Sequence, residues 1–314
     1  MLAPSEYSVV SGARNRDREG RVFVNEGMST EFHTSSLRPG LLASVALPSA
    51  ALAGGVGAYL RNRVQRAQVF VPTLYPHGFW DPGSHGLPVA DEWFETEDGV
   101  KLHAWWIRSR RPRGTVLYCH GNNGNITHRI GVLEQLWHMR LNVFAFDYRG
   151  YGRSEGEPSE EGLYRDVRAA LDHLSGNLGQ QPDSILLFGH SLGGAVAIDG
   201  ALNRPVAGLV VQSSFTHIRD MTRALFPRLP LHLVARNQFR SVDKVGRLEM
   251  PKLFIHGTDD PTVPHRLGRR LFDAAVEPKE WFEIPRAGHN DVFRTGGMRY
   301  LWRLQRFARR VFRG

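Results

Sequence analysis

In the run Gly189-His190-Ser191-Leu192-Gly193 a serine stands between two glycines, directly after the apolar Leu186 to Phe188. The spacing G-x-S-x-G suits a sharp strand-to-helix turn: small residues at 189 and 193 relieve crowding, and the hydroxyl is exposed at the end of a strand. It also brings Ser191 near a helix N-terminus, where partial positive charge favours a developing anion. An ordinary strand-to-helix turn would use the same small residues, so the pattern needs partners before it means chemistry. A serine hydroxyl becomes a nucleophile when a base removes its proton as it attacks. That base is a histidine, oriented in turn by a carboxylate. Both candidates lie downstream, each just after an apolar strand-like run: Asp259 and Asp260 in LFIHGTDDPTVP, and His289 in FEIPRAGHND.

Two choices follow from position. Asp260 is the expected partner of the histidine, and Asp259 is expected to stabilise the loop through hydrogen bonds to its own backbone. His289 follows Ala287-Gly288 in a loop that would let an imidazole approach the serine. The competitors are His256, read as a packed or turn-stabilising residue at a strand end, His265, and His190 inside the serine turn. Acyl transfer also needs donors for an oxyanion. The backbone N–H of Leu192 is one. The backbone N–H of Asn122, in the loop that ends the run TVLYCHGNNGN, is the other, with Gly121 allowing close backbone approach. The same Asn/Gly-rich turn also suits the start of the following helix. The glycine-punctuated FDYRGYGRSEG, Phe146 to Gly156, fits neither a phosphate loop nor a dinucleotide fingerprint. It is expected to wall the site and brace the serine turn, with Asp147 and Arg149 as a structural ion pair. Cys119 is expected to be an inert buried thiol.

These residues need a scaffold that ends several strands at one edge. Residues 91–109 read as two strands around Asp98-Gly99, a hairpin signal. Further strands are expected at Thr115–Cys119, Asn142–Asp147, Ser184–Phe188, Val206–Gln212, Lys252–His256 and Lys279–Ile284. Helices are expected at Ile126–Arg140, Ser159–Leu174, Leu192–Leu202, Pro264–Ala274 and Asp291–Phe312. Short continuous apolar strands alternating with helices imply an α/β fold: a mostly parallel central sheet with an N-terminal antiparallel hairpin and helices on both faces. Residues 68–314 read as one domain, with a cap-like insertion at 214–246. Its apolar residues, among them Phe215, Leu225, Phe226, Leu229 and Phe239, suit an acyl pocket or a membrane-facing mouth, and equally a helix packed on the sheet.

The N-terminal part differs. Residues 1–40 are polar and patternless and read as a disordered leader, or as sequence upstream of a start at Met28. Leu41 to Leu60 carry no charge and are followed by Arg61, Arg63 and Arg66. Twenty such residues reach the length of a membrane span, although Pro48 and many Ala and Gly weaken the stretch. Ala51-Leu52-Ala53 before Gly54 resembles a signal cleavage site. An anchor, a cleaved signal and a soluble helix all fit. Membrane association through 41–60 is expected, with a cytoplasmic or exported protein as the alternative. The chain of 314 residues has a formal net charge of +9, and only four of its forty basic residues are lysine. The densest basic stretch, residues 299–314, reads as a last helix with Leu301, Leu304, Ala308 and Val311 facing the sheet and its arginines solvated. No nucleic-acid partner is expected, and a monomer is. A single cysteine excludes an internal disulfide and a multi-cysteine metal site.

HGNNGN, DYRGYGRSEG, GHSLGG, HGTDDPTVP and AGHND, in that order, resemble the α/β-hydrolase superfamily over residues 68–314. The likeness is to its serine-hydrolase branch with an N-terminal hydrophobic segment, the serine aminopeptidase-like, monoacylglycerol lipase-like and acyl-protein thioesterase-like enzymes. It implies Ser191, Asp260 and His289 as catalytic residues, Asn122 and Leu192 as oxyanion donors, and no cofactor or metal. A serine at 191 argues against dehalogenases, which use aspartate there, and against dienelactone-type enzymes with cysteine. The implied reaction is hydrolysis of carboxylic esters or thioesters of a small-molecule or lipid acyl substrate, with peptide or amide hydrolysis as the alternative. The fold names no substrate, because many chemistries share it.

Overall fold

Eight strands form one sheet: β1 (Val89–Glu95), β2 (Lys101–Ile107), β3 (Thr115–Cys119), β4 (Asn142–Phe146), β5 (Ile185–His190), β6 (Gly208–Gln212), β7 (Lys252–Gly257) and β8 (Lys279–Ile284). Their spatial order is β8-β7-β6-β5-β3-β4-β2-β1. Within the sheet only β2 runs against its neighbours, antiparallel to both β1 and β4. The computed structural model describes residues 69–225, 228 and 238–312. The leader 1–40, the uncharged stretch 41–60 and most of the middle of the 214–246 insertion lie outside the described residues.

The inner strands are buried from end to end, because helices cover both faces. Alternate residues of β5 serve the two cores: Leu187 packs with one cluster, Leu186 and Phe188 with the other. The first cluster takes the apolar faces of α2 (Glu160–Gly176) and α3 (Leu192–Asn203), and the second those of α1 (Ile130–His138) and α7 (Val292–Val311). Three further helices, α4 (Ile218–Leu225), α5 (Ser241–Val245) and α6 (His265–Ala274), complete the described set. Leu304, Ala308 and Val311 of α7 are buried as its periodicity predicts, and Leu301 is half-buried.

Several boundaries move for local reasons. The helix expected from Ile126 begins as a 3-10 turn, Ile126–Arg129, capped by the Asn125 side chain, before α1 starts at Ile130. The last helix is kinked at Gly297, whose φ is 49°. The hairpin turns through a loop in which Gly99 has φ 76° and the Thr96 N–H donates to the Val100 carbonyl at 3.0 Å. The Pro/Gly-rich stretch after residue 68 pairs with the loop that follows β3: Val71 and Pro72 lie parallel to Asn123 and Gly124.

β3 lies next to β5, with Cys119 opposite Gly189. The chain leaves β3 for β4 on one side and returns to β5 on the other. In open α/β sheets ligands bind at such a reversal, beyond the carboxyl ends of the strands. Asn122 and Ser191 follow β3 and β5 at this edge, and Asp260 and His289 follow β7 and β8.

Candidate active site

Ser191 has φ 55° and ψ −118°, in the left-handed half of backbone space that residues with side chains rarely occupy. The turn is held by packing that tolerates no larger residue. A Cβ on Gly189 would lie 2.2 Å from the Gly193 carbonyl oxygen, and one on Gly193 would lie 2.0 Å from the Cys119 carbonyl oxygen. The glycines expected from the sequence are therefore steric requirements of the turn. The Ser191 N–H donates to the Gln212 carbonyl at 2.8 Å, and the Ser214 hydroxyl donates to the Ser191 carbonyl at 2.9 Å. Ser191 itself is buried to 7% exposure.

His289 bridges the two other residues. Its Nδ1 lies 2.7 Å from Asp260 Oδ2 and its Nε2 lies 3.0 Å from Ser191 Oγ. The Asp and His loops meet because β7 and β8 are parallel neighbours and Gly257 lets their ends close together. A Cβ there would sit 2.3 Å from the Ala287 carbonyl oxygen. The Asp259 N–H donates to that same carbonyl at 3.0 Å, and the Arg286 N–H donates to Thr258 Oγ1 at 2.8 Å.

Asp260 divides its two oxygens between two tasks. Oδ2 faces His289, while Oδ1 accepts the N–H groups of Thr262 and Val263 at 2.9 and 2.8 Å. The loop-stabilising role expected of Asp259 thus belongs to Asp260. Asp259 is exposed, and its side chain accepts the Thr258 hydroxyl at 2.8 Å. Burial pushes the Asp260 carboxyl upward, but hydrogen bonds from the histidines and the Val263 N–H outweigh it and hold the group well below the usual carboxylate range. It is ionised throughout the neutral range.

The competing histidines take other places. His256 Nε2 donates to the Val263 carbonyl at 2.9 Å and lies 3.4 Å from Asp260 Oδ2, so it braces the aspartate from behind. His265 lies 3.3 Å from Glu283 and against the Trp281 ring. His190 donates from Nε2 to the His289 carbonyl at 3.2 Å. Burial, with His289 nearby, drives its imidazole down to about 3, so it stays neutral.

The loop after β3 passes close to the serine. A Cβ on Gly121 would lie 3.5 Å from Ser191 Cβ and 3.2 Å from His190 Nδ1, so a glycine there admits the backbone. Two tyrosines of the DYRGYG run hold this loop: Tyr148 donates to the His120 carbonyl at 2.9 Å and Tyr151 to the Asn122 carbonyl at 2.8 Å. That run therefore braces the loop carrying Asn122 rather than the serine turn. The signal was present in the sequence, since a buried tyrosine hydroxyl must find an acceptor. The first N–H groups of α3, Leu192 among them, have no acceptor within the helix.

The expected Asp147–Arg149 ion pair does not form. Arg149 instead bonds Asp166 through Nε at 2.8 Å and Asp98 through both terminal nitrogens at 2.8 and 3.0 Å. Asp147 is fully buried, accepts the Ile126 N–H at 2.9 Å, and lies 3.6 Å from His120 Nε2. Burial raises Asp147 to about 8 and lowers His120 to about 3, so the two face each other as neutral groups at pH 7. Cys119 is buried, and burial pushes its thiol up. Among the described residues no group of three or more His, Cys, Asp or Glu is placed to hold a metal ion.

A serine at a strained strand-to-helix turn is joined here by a histidine and an aspartate from the loops after the last two strands. The family model described as "Serine aminopeptidase, S33" matches residues 110–241. The alpha/beta hydrolase domain-containing protein WAV2 of Arabidopsis thaliana is 36% identical over 279 residues, covering 79% of this chain and 89% of the relative. A Saccharomyces cerevisiae protein named as an uncharacterized membrane protein is 34% identical over 223 residues, covering 69% and 78%. Among solved structures, the Pyrococcus furiosus esterase Pf2001 superposes with a TM-score of 0.66 at 23% identity, covering 77% of this chain and 99% of that one. The chain belongs to the α/β-hydrolase superfamily and is a hydrolase. No helix among the described residues is long and apolar enough to cross a membrane.

Proposed function

We propose that this protein hydrolyses carboxylic esters or thioesters through an acyl-enzyme on Ser191. The observation that carries the reading is His289, with Asp260 at 2.7 Å on one ring nitrogen and Ser191 at 3.0 Å on the other. Ser191 Oγ attacks the substrate carbonyl while His289 Nε2 takes its proton. Asp260 keeps the Nδ1–H tautomer in place and stabilises the imidazolium. The backbone N–H groups of Leu192 and Asn122 receive the oxyanion. As the tetrahedral species collapses, His289 returns the proton to the leaving alcohol or thiol. Water, deprotonated by the same nitrogen, then attacks the acyl carbonyl, and the acid leaves with Ser191 restored. No cofactor enters any step.

The esterase named among the structural neighbours supports ester chemistry. The family description favours a second reading, cleavage of aminoacyl amides by the same three residues. Parallel assays of p-nitrophenyl esters, acyl-thioesters and aminoacyl amides separate them. Ester or thioester turnover exceeding amide turnover is expected, and the reverse order would replace the first reading with the second. We also propose that residues 41–60 anchor the chain in a membrane, on the strength of their length without charge and of the membrane protein among the relatives. Retention in the membrane fraction after a high-pH wash is expected of the full chain, and release would overturn the anchor.

A further inference from the structure

Among the described residues, Val71, Leu74, Tyr75 and Phe79 are exposed large apolar side chains gathered in one nine-residue run, each between 44% and 54% exposed. From Val69 to Trp80 the chain has no Asp, Glu, Lys or Arg. Exposed apolar side chains concentrated in so short a run suit a site of interaction.

Much of the backbone of the run is already paired. The N–H of Val71 donates to the Asn122 carbonyl at 3.1 Å, that of Thr73 to Gly124 at 3.0 Å, that of Tyr75 to Gly152 at 2.9 Å and that of His77 to Leu74 at 3.0 Å. Pro72 and Pro76 have no N–H to satisfy. The Asn125 amide donates to the Thr73 and His77 carbonyls at 3.0 and 3.1 Å. Exposed apolar side chains on a partly paired backbone suit entry into a lipid interface, since each backbone group already paired spares a desolvation cost. The Arg153 guanidinium lies 4.8 Å from the Tyr75 ring centroid and 4.6 Å from that of Trp80. Aromatic rings with an adjoining arginine suit the headgroup zone.

The run is also fastened to the catalytic edge. It pairs with Asn123 and Gly124, and the Asn122 side chain donates to the Val69 carbonyl at 3.2 Å. Only eleven peptide links, across residues 61–70, separate Leu60, the end of the uncharged stretch, from Val71. Fully extended, they reach about 40 Å, so an anchor at 41–60 tethers this surface to the bilayer.

We infer that Val71, Leu74, Tyr75 and Phe79 form a docking rim that enters the interface of a lipid bilayer, so that Ser191 acts on acyl esters or thioesters presented from the membrane. The substrate class rests on the serine-hydrolase reading. The docking itself does not.

Cys119 is the only cysteine and is buried, so a polarity-sensitive thiol dye on the full chain carrying Leu74→Cys reports one site. With phosphatidylcholine vesicles a blue shift is expected at 74 and none at Asp183→Cys, an exposed position before β5 at the opposite edge. No shift at 74, or an equal shift at both positions, overturns the rim. So does a shift that appears with rising protein concentration in the absence of vesicles, which would assign the surface to a second copy of the chain. The second arm is Leu74→Asp/Phe79→Asp. Turnover of soluble p-nitrophenyl butyrate is expected to stay within about twofold, and turnover of p-nitrophenyl palmitate in the same vesicles to fall tenfold or more. Equal vesicle turnover by parent and variant overturns the proposal. Failure of the parent on the soluble ester would strike the hydrolase reading instead, and the dye would still decide the rim.

Discussion

Replacing Asp260 by Asn separates the two tasks of that residue. The amide oxygen can still accept the Thr262 and Val263 N–H groups that Oδ1 accepts now. The amide nitrogen then faces His289 Nδ1 as a donor, which forces the ring to carry its proton on Nε2. An Nε2–H cannot accept the Ser191 proton. A wrong tautomer in an otherwise intact site costs about 10⁴-fold in kcat, or about 5.5 kcal/mol at 1.36 kcal/mol per decade. Asp260→Ala should lose as much activity and also stability, because it leaves the buried Val263 N–H without an acceptor, at about 1–3 kcal/mol, whereas water can replace the bond to exposed Thr262. The assay pairs p-nitrophenyl butyrate turnover with urea unfolding. Asn should lose activity and change the midpoint little, Ala should lose both, and Asp259→Asn should cost less than about threefold in kcat. Activity of Asp260→Asn within tenfold of the parent would refute the reasoning, as would equal losses in the 259 and 260 variants.

Gly193→Ala would drive a Cβ to 2.0 Å from the Cys119 carbonyl oxygen, a backbone atom that cannot yield. It should cost several kcal/mol (roughly 3 or more), while Gly131→Ala, with nothing within 4 Å of its Cβ in α1, should be neutral or slightly stabilising. Thermal melts of the two distinguish steric need from a general preference for glycine. Asp147 is raised to about 8 by burial, so between about pH 4 and 8 the folded chain holds a proton that the unfolded chain has lost, and the parent loses stability as pH rises through that window. Asp147→Asn lacks this linkage, and its urea midpoint should gain on the parent between pH 5 and pH 9. An unchanged difference would mean that Asp147 is ionised in the fold.

Much of the fold is legible because its inner strands are short apolar runs with glycine or polar residues at their ends. Thr115–Cys119 and Lys279–Ile284 match the expected strands residue for residue, and the others shift by one or two residues. The positions of Ser191, Asp260 and His289 were legible for the same reason: each lies in the segment that follows a strand at one edge of the sheet. What escaped the sequence is contact between elements distant along the chain. Arg149 has an acid two residues away, yet its partners are Asp166 on α2 and Asp98 in the hairpin turn, because Asp147 points inward to the Ile126 N–H. The pairing of Val71 with Asn123 is equally silent in local pattern, since neither stretch alternates in hydrophobicity. Division of labour within one carboxylate, Asp260, cannot be read from residue type at all.

Ser191 Oγ is the proposed attacking atom. Treatment of the full chain with a fluorophosphonate probe, followed by peptide mass mapping, tests it directly. The expected result is a single adduct on Ser191, with labelling and ester turnover both lost in Ser191→Ala. Labelling that persists in Ser191→Ala, or an adduct mapped to another residue, would contradict it.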